Sequence, residues 1–295
     1  RGLRKLYGRP KIHYQRGYNR KYNETGIFCR KLARRLRKGR RRPSKLPDHK
    51  HHWFTGNRLG SKHPGAAEHR ESYADNVWPR GRQWEQFRQQ QEEMYELLFG
   101  VGKRVLECVA LDLGLSRDFF NRRIKDGPTV MRALHYPRIT HRLMKQWKRV
   151  YRKMLPWACA HTDINLVTVL PPSTRLAEAP ECGLWIRRRD GVWIQGICPP
   201  GCVIVQVGDM LEYMTDKALL SAKHEVRSPK KPTKKGRLSL AQFIHLNTRV
   251  RLHHLHPKLS PKTAGEYLHE RLVAIGLAKP LKKGQKVKLK RSYVA

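Results

Sequence analysis

His161, Asp163 and His224 are the residues of this 295-residue chain best suited to hold a metal. In a strand, residues i and i+2 face the same way, so His161 and Asp163 can enter one cavity together. His224, from a distant strand, would complete two imidazole nitrogens and one carboxylate on a single face of an octahedral metal. Three positions then stay open, which suits mononuclear Fe(II) that activates oxygen. Arg237 and Ser239 repeat the i, i+2 spacing farther on. A guanidinium there would grip a carboxylate through two parallel N–H donors, with a hydroxyl beside it. The far carboxylate of 2-oxoglutarate is the expected guest, its 2-oxo acid end chelating the metal. A His-x-Asp triplet alone is common by chance; the ordered set carries the weight.

These side chains need strands to present them. After Met131, short apolar runs bounded by Pro, Gly and Asp predict strands over 164–170, 183–187, 191–195, 202–207, 220–227 and 237–244. Upstream, Trp84 to Leu113 reads as a helix whose apolar stripe is Met94, Leu97, Leu98, Val101, Val105 and Val109. Gly100 and Gly102 weaken it. Ser116 is placed to cap a short helix through Phe119 and Phe120. The basic, aromatic stretch His141 to Trp157 reads as an inserted helix. A last helix spans 263–276, with Thr263 and Glu266 forming a capping box. The expected fold class is α+β: a double-stranded β-helix (jelly roll) with supporting N-terminal helices and extended basic termini. The expected division is a basic RNA-binding arm (1–63), a folded domain (64–277) and a basic tail (278–295). Within the domain, 82–125 is helical, the β-helix runs from about 131 to 250, and 138–157 is a basic insertion.

Charge is the second strong signal. The formal net charge is +40. Residues 1–63 contribute +19 and residues 278–295 contribute +7, leaving +14 for the rest. Such a surplus repels itself unless a polyanion neutralises it, and phosphate neutralisation with counterion release is the usual source of affinity. No run approaches the ~18 consecutive apolar residues of a membrane span, so no membrane insertion is expected. Expected RNA contacts are Arg30, Lys31, Arg34, Arg35, Arg37, Lys38, Arg40, Arg41 and Arg42 in the arm. Lys145, Lys148, Arg149 and Arg152 in the insertion, and Lys282 and Lys283 in the tail, join them. Tyr14, Tyr18, Trp53, Trp147 and Tyr151 are candidates to stack on bases. The six cysteines show no disulfide framework and are expected to be buried, reduced thiols, with Cys198-Pro-Pro-Gly-Cys202 a turn between strands.

A family resemblance covers about Asp75 to Leu277. Its stretches are Asp75-Asn76-Val77-Trp78-Pro79, Leu115-Ser116-Arg117-Asp118-Phe119-Phe120, Leu134-His135-Tyr136-Pro137, His161-Thr162-Asp163 and Gly208-Asp209-Met210-Leu211-Glu212. Ser221 to Val226, Arg237-Leu238-Ser239 and Thr263 to Leu268 follow in order. In these the chain resembles the isopenicillin N synthase-like group of Fe(II)/2-oxoglutarate dioxygenases. The resemblance implies iron on His161, Asp163 and His224, and 2-oxoglutarate on Arg237 and Ser239 with Tyr136 nearby. The sequence departs from the family in its basic arm, its inserted stretch before His161, and Lys230 to Lys235 between His224 and Arg237. In the turn before the second histidine, Asp216-Lys217-Ala218 stands where the family has Gly.

Two expectations compete. The leading one is a structural component of a large ribonucleoprotein, the mitochondrial ribosome or its assembly intermediate, in the mitochondrial matrix. Its partners would be ribosomal RNA and neighbouring ribosomal proteins. The alternative is an active Fe(II)/2-oxoglutarate-dependent hydroxylase or demethylase acting on RNA or a ribosomal protein. Small-molecule oxidation ranks third, because it gives no use to the charged arm.

Overall fold

The computed structural model describes residues 16–19, 48–70, 72–151, 156–252 and 262–275. Its helices are α1 (Glu85–Asp112), α2 (Phe119–Ile124), α3 (His141–Tyr151), α4 (Asp209–Met214) and α5 (Ala264–Ile275). Among these residues ten strands form two antiparallel sheets. The larger holds β1 (Gly17–Asn19), β2 (His51–Gly56), β3 (Val130–Tyr136), β10 (Arg237–Ile244), β5 (Val167–Leu170) and β8 (Ile204–Val207), in that order. The smaller runs β4 (Ala158–His161), β9 (His224–Arg227), β6 (Gly183–Arg187), β7 (Trp193–Gln195). Residues of both sheets line one cavity, as in a jelly roll.

Alternation along the larger sheet divides its residues between two faces. Met131, Val167, Val169 and Ile244 join Tyr95, Leu98, Leu106 and Ala110 of α1 in the main hydrophobic core. Val130, Arg132, Leu134 and Tyr136 turn the other way and line the cavity. The buried stripe of α1 is Tyr95, Leu98, Gly102, Leu106 and Ala110, one position displaced from the expected one; Leu97 is 62% exposed. Gly102 makes the shift possible, because a Cβ there would collide with the Ile244 Cδ1 atom. The glycine that weakens the helix locally is therefore what lets it lie close to β10.

The region read as an arm supplies structure. Strand β2 pairs with β3 from His51↔His135 to Gly56↔Val130, and β1 pairs with β2. Trp53 and Phe54 are buried, so this apolar pair docks a strand inside a stretch whose composition is dominated by charge. Arg16 is fully buried, donates to the Ser72 and Ala74 carbonyl oxygens, and packs over Gly56. Burial lowers its pKa to about 10. Arg30 to Arg42, Arg152, Lys282 and Lys283, with Tyr14, lie outside the described residues.

Other expectations need correction. Helix α2 has no side-chain cap; Ser116 instead accepts from Arg122. Strands β5, β7, β8 and β9 begin three, two, two and four residues later than expected, and β3 and β4 are strands outside the expected set. The cysteines are not all buried thiols: Cys182 is buried, but Cys108 and Cys202 are exposed and Cys159 is disulfide-bonded. The capping box of α5 forms: the Glu266 carboxylate accepts the Thr263 N–H at 2.9 Å, and Thr263 Oγ1 accepts the Glu266 N–H at 3.1 Å. Among the described residues, no helix is long and apolar enough to cross a membrane.

The turn before β9 carries Asp216 at φ 46° and Lys217 at φ 68°. A left-handed conformation costs an ordinary L-residue about 1–2 kcal/mol, and glycine is largely spared it. Lys217→Gly is therefore expected to stabilise the fold by about 1 kcal/mol, the glycine's larger unfolded-state entropy offsetting part of the gain. A higher urea midpoint at unchanged slope is the expected readout.

Candidate active site

Two of the three candidate ligands come from neighbouring strands, and the third from the loop that follows one of them. His161 ends β4 and His224 begins β9, directly opposite each other in register. Their rings lie 4.3 Å apart. Asp163 follows in the turn after β4, so the carboxylate reaches the same point from loop rather than strand. Each histidine Nε2 is 3.8 Å from Asp163 Oδ1, and the three ligand atoms all lie within 4.8 Å of one another.

What surrounds them fixes their orientation. His161 Nδ1 is 2.6 Å from the Cys159 carbonyl oxygen and His224 Nδ1 is 2.9 Å from that of Ala222. Those bonds place the proton on Nδ1 and leave Nε2 as the lone-pair donor toward the shared point. Burial first, and then the neighbouring His224, push the His161 pKa down, which favours the neutral ring, the form that binds metal. Burial alone would raise the Asp163 carboxyl; His224, His161 and the Thr168 hydroxyl outweigh it and hold the group ionised. Thr168 donates to Asp163 Oδ2 at 2.6 Å. The donor set thus fits a divalent metal: two imidazole Nε2 atoms and an oriented carboxylate aimed at one point. Thr168→Val keeps shape and removes that bond, and is expected to weaken metal affinity about 10–100-fold, measured by competition with a chromophoric chelator.

The cavity beside this cluster has a volume of about 490 Å³. Tyr136 pairs with Arg237 across β3 and β10, and Leu134 pairs with Ser239; all four residues line the cavity. Arg237 is 7% exposed and its guanidinium sits 5.3 Å from the centre of the Tyr136 ring. Its Nη2 donates to Ser173 Oγ at 2.7 Å. Among the described residues it has no carboxylate partner, so a buried cation waits for an anion. Ser173 and Thr168 were not anticipated; their roles depend on partners that lie 64 and five positions away in sequence, for which no motif exists.

The other expected contacts divide. Lys145, Lys148 and Arg149 are exposed on α3. Trp147 and Trp53 are buried, so neither ring is available to stack on a base; Trp147 instead anchors α3 beside Met144, Tyr136 and Trp157. Tyr18 is half-buried, its hydroxyl 2.7 Å from His51 Nδ1. The two basic insertions meet in space: Thr233 N–H donates to the Ile139 carbonyl oxygen, and Ile139 N–H donates to Thr233 Oγ1. Lys230, Lys231, Lys234 and Lys235 are exposed alongside.

Comparison with known proteins agrees with this geometry. Residues 131–246 match the model of the 2OG-Fe(II) oxygenase superfamily. A 2OG-Fe(II) oxygenase family protein from Caulobacter crescentus, known from its crystal structure, is 30% identical with a TM-score of 0.66. That similarity covers 92% of this chain and 79% of the bacterial one. The 2-oxoglutarate-Fe(II) type oxidoreductase hxnY of Emericella nidulans is 27% identical over 185 residues, 61% of this chain and 48% of the relative. A full-length Neurospora crassa protein, crystallised in complex with alpha-KG, shares the fold at TM-score 0.68 and 20% identity, over 93% of this chain and 78% of its own.

The chain belongs to the 2OG-Fe(II) oxygenase superfamily. Fe(II) and 2-oxoglutarate are the metal and co-substrate for which that superfamily is named, and the His-Asp-His cluster is the candidate metal site here. The chain spans about half the length of the curated relatives it matches. The Caulobacter crescentus and Emericella nidulans relatives are described as a 2OG-Fe(II) oxygenase family protein and a 2-oxoglutarate-Fe(II) type oxidoreductase, and neither as a ribosomal component.

Proposed function

We propose that the protein is an active Fe(II)/2-oxoglutarate-dependent oxygenase. His161, Asp163 and His224 hold the metal, and Arg237 with Ser239 and Tyr136 holds the distal carboxylate of 2-oxoglutarate. The observation that carries the proposal is the paired geometry: three oriented ligand atoms within 4.8 Å, and in the same cavity a buried arginine with no carboxylate partner among the described residues. When bound, metal and co-substrate supply an oxidant that places one atom of O₂ in succinate and the other in a substrate C–H bond, with loss of CO₂. The chain's residues do the rest. Arg237 sets the register of the co-substrate, the Tyr136 ring walls one side of it, and Thr168 keeps the Asp163 carboxylate aimed. Succinate formation that requires the protein, Fe(II), O₂ and 2-oxoglutarate tests the proposal; its absence with intact, iron-loaded protein would refute it.

A polyanion partner is a second element of the reading. It rests on the net charge of +40 and on the juxtaposed exposed cations of α3 and residues 230–235. Ribosomal RNA, in a mitochondrial ribosome or its assembly intermediate, is the partner this surface would serve, as recruiting site for an oxygenase acting there. Replacing Lys145, Lys148, Arg149 and Lys234 together by Glu is expected to weaken binding to structured RNA and to flatten its salt dependence by up to about four in logarithmic slope. An unchanged slope would remove this surface from the account.

A further inference from the structure

The cavity extends well beyond the Arg237 end. Along β10, Arg237, Ser239, Ala241 and Phe243 all face it, so Phe243 lies about 20 Å of strand from Arg237. Register carries a row of side chains across the sheet at this far end: Val130↔Phe243, Phe243↔Thr168, Thr168↔Gln206. Thr168 is the residue bonded to Asp163, so Gln206 stands one strand, about 4.8 Å of sheet, from the metal cluster's own support.

Gln206 is 3% exposed, and neither its amide nitrogen nor its amide oxygen has a partner among the described residues. His245, the residue after β10, also lines the cavity; it is 7% exposed and its Nδ1 is likewise unpartnered. Burial, and then Arg132, push the His245 pKa down to about 3, so this ring is neutral. The Arg132 guanidinium sits between the Phe54 and Phe243 rings, 4.5 and 4.8 Å from their centres, and fills part of the same wall. Buried polar groups are ordinarily bonded, and one left bare carries the full cost of losing its water.

We propose that Gln206 and His245 form the substrate-recognition subsite, and that it takes a neutral amide, lactam or imide edge of the molecule oxidised. The position rests on the oxygenase reading, which gives the Arg237 end to the co-substrate and leaves this end to the molecule oxidised. The chemistry rests on the side chains themselves. The Gln206 amide needs an acceptor for its N–H and a donor for its C=O at once. An amide edge supplies both in one plane. A carboxylate only accepts, so it would leave the buried Gln206 oxygen bare; an ammonium only donates and would sit beside Arg132. The neutral His245 Nδ1 donates or accepts according to tautomer and so adapts to either atom of the edge.

The test uses the full 295-residue chain and ligand-observed NMR binding of three ring-sized probes: glutarimide, 2-piperidone and cyclohexanecarboxylate. It is run without metal and again with 2-oxoglutarate and a redox-inert divalent metal, so failure of the metal site leaves the readout intact. Glutarimide and 2-piperidone are expected to bind at least tenfold more tightly than the carboxylate. Gln206→Leu, and the size-matched Gln206→Glu should the first not fold, are expected to lose at least tenfold for glutarimide. Carboxylate binding as tight as imide, glutarimide affinity within twofold in a folded variant, or no binding of any probe, would overturn the proposal; in the last case water alone satisfies these atoms.

Discussion

Asp163→Ala is expected to abolish succinate formation, at least about a thousand-fold below wild type, because the reaction has no route without the metal. Asp163 supplies the only negative charge in the ligand set, and two neutral imidazoles alone hold Fe(II) poorly. The substitution should leave the fold intact. Thr168 has a second acceptor in Asn165 Oδ1 at 3.2 Å, and the Asp163 carbonyl oxygen still accepts the Asp209 N–H at 2.7 Å. Removing a buried carboxylate also removes its desolvation cost. Lost turnover at an almost unchanged melting temperature therefore separates a metal role from a structural one. A variant that still forms succinate would take Asp163 out of the site.

Arg237→Met has the second largest expected effect, and on a different quantity. Truncating one partner of a buried, hydrogen-bonded charge pair costs about 2–5 kcal/mol, roughly 30- to 4,000-fold in affinity. The KM for 2-oxoglutarate should rise by that factor while Fe(II) affinity holds, because Arg237 would hold the carboxylate of the co-substrate that does not chelate the metal. Arg237→Lys should recover only part of the loss: an ammonium keeps the charge but not the planar fork. Equal losses in iron and 2-oxoglutarate binding would point to collapse around the Tyr136–Arg237 pair instead.

The metal cluster could be read from sequence because its logic is local. His161 and Asp163 are two apart, and ordered partners downstream completed a chemically coherent set. That Arg237 and Ser239 share one cavity face followed from the alternation on β10. What escaped is non-local or masked by composition. Strand β2 sits among cations, and its Trp53–Phe54 pair is too short to announce a strand. Trp147, flanked by Lys and Arg, looked like a base-stacking ring, yet helical geometry turns the cations outward and the indole inward. The stripe of α1 was placed one residue off because neither glycine nor tyrosine weighs heavily in an apolar pattern; Gly102 matters only once Ile244 is known to lie against it. Gln206 and His245 carry no signal until register puts Gln206 opposite Thr168.

Anaerobic addition of Fe(II) and 2-oxoglutarate to the purified chain tests the central claim most directly. A 2-oxo acid chelated to Fe(II) gives a visible charge-transfer absorption. The account predicts that this band appears, saturates at one iron per chain, vanishes in Asp163→Ala, and needs far more 2-oxoglutarate in Arg237→Met. Folded wild-type protein that yields no band and retains no iron would contradict it.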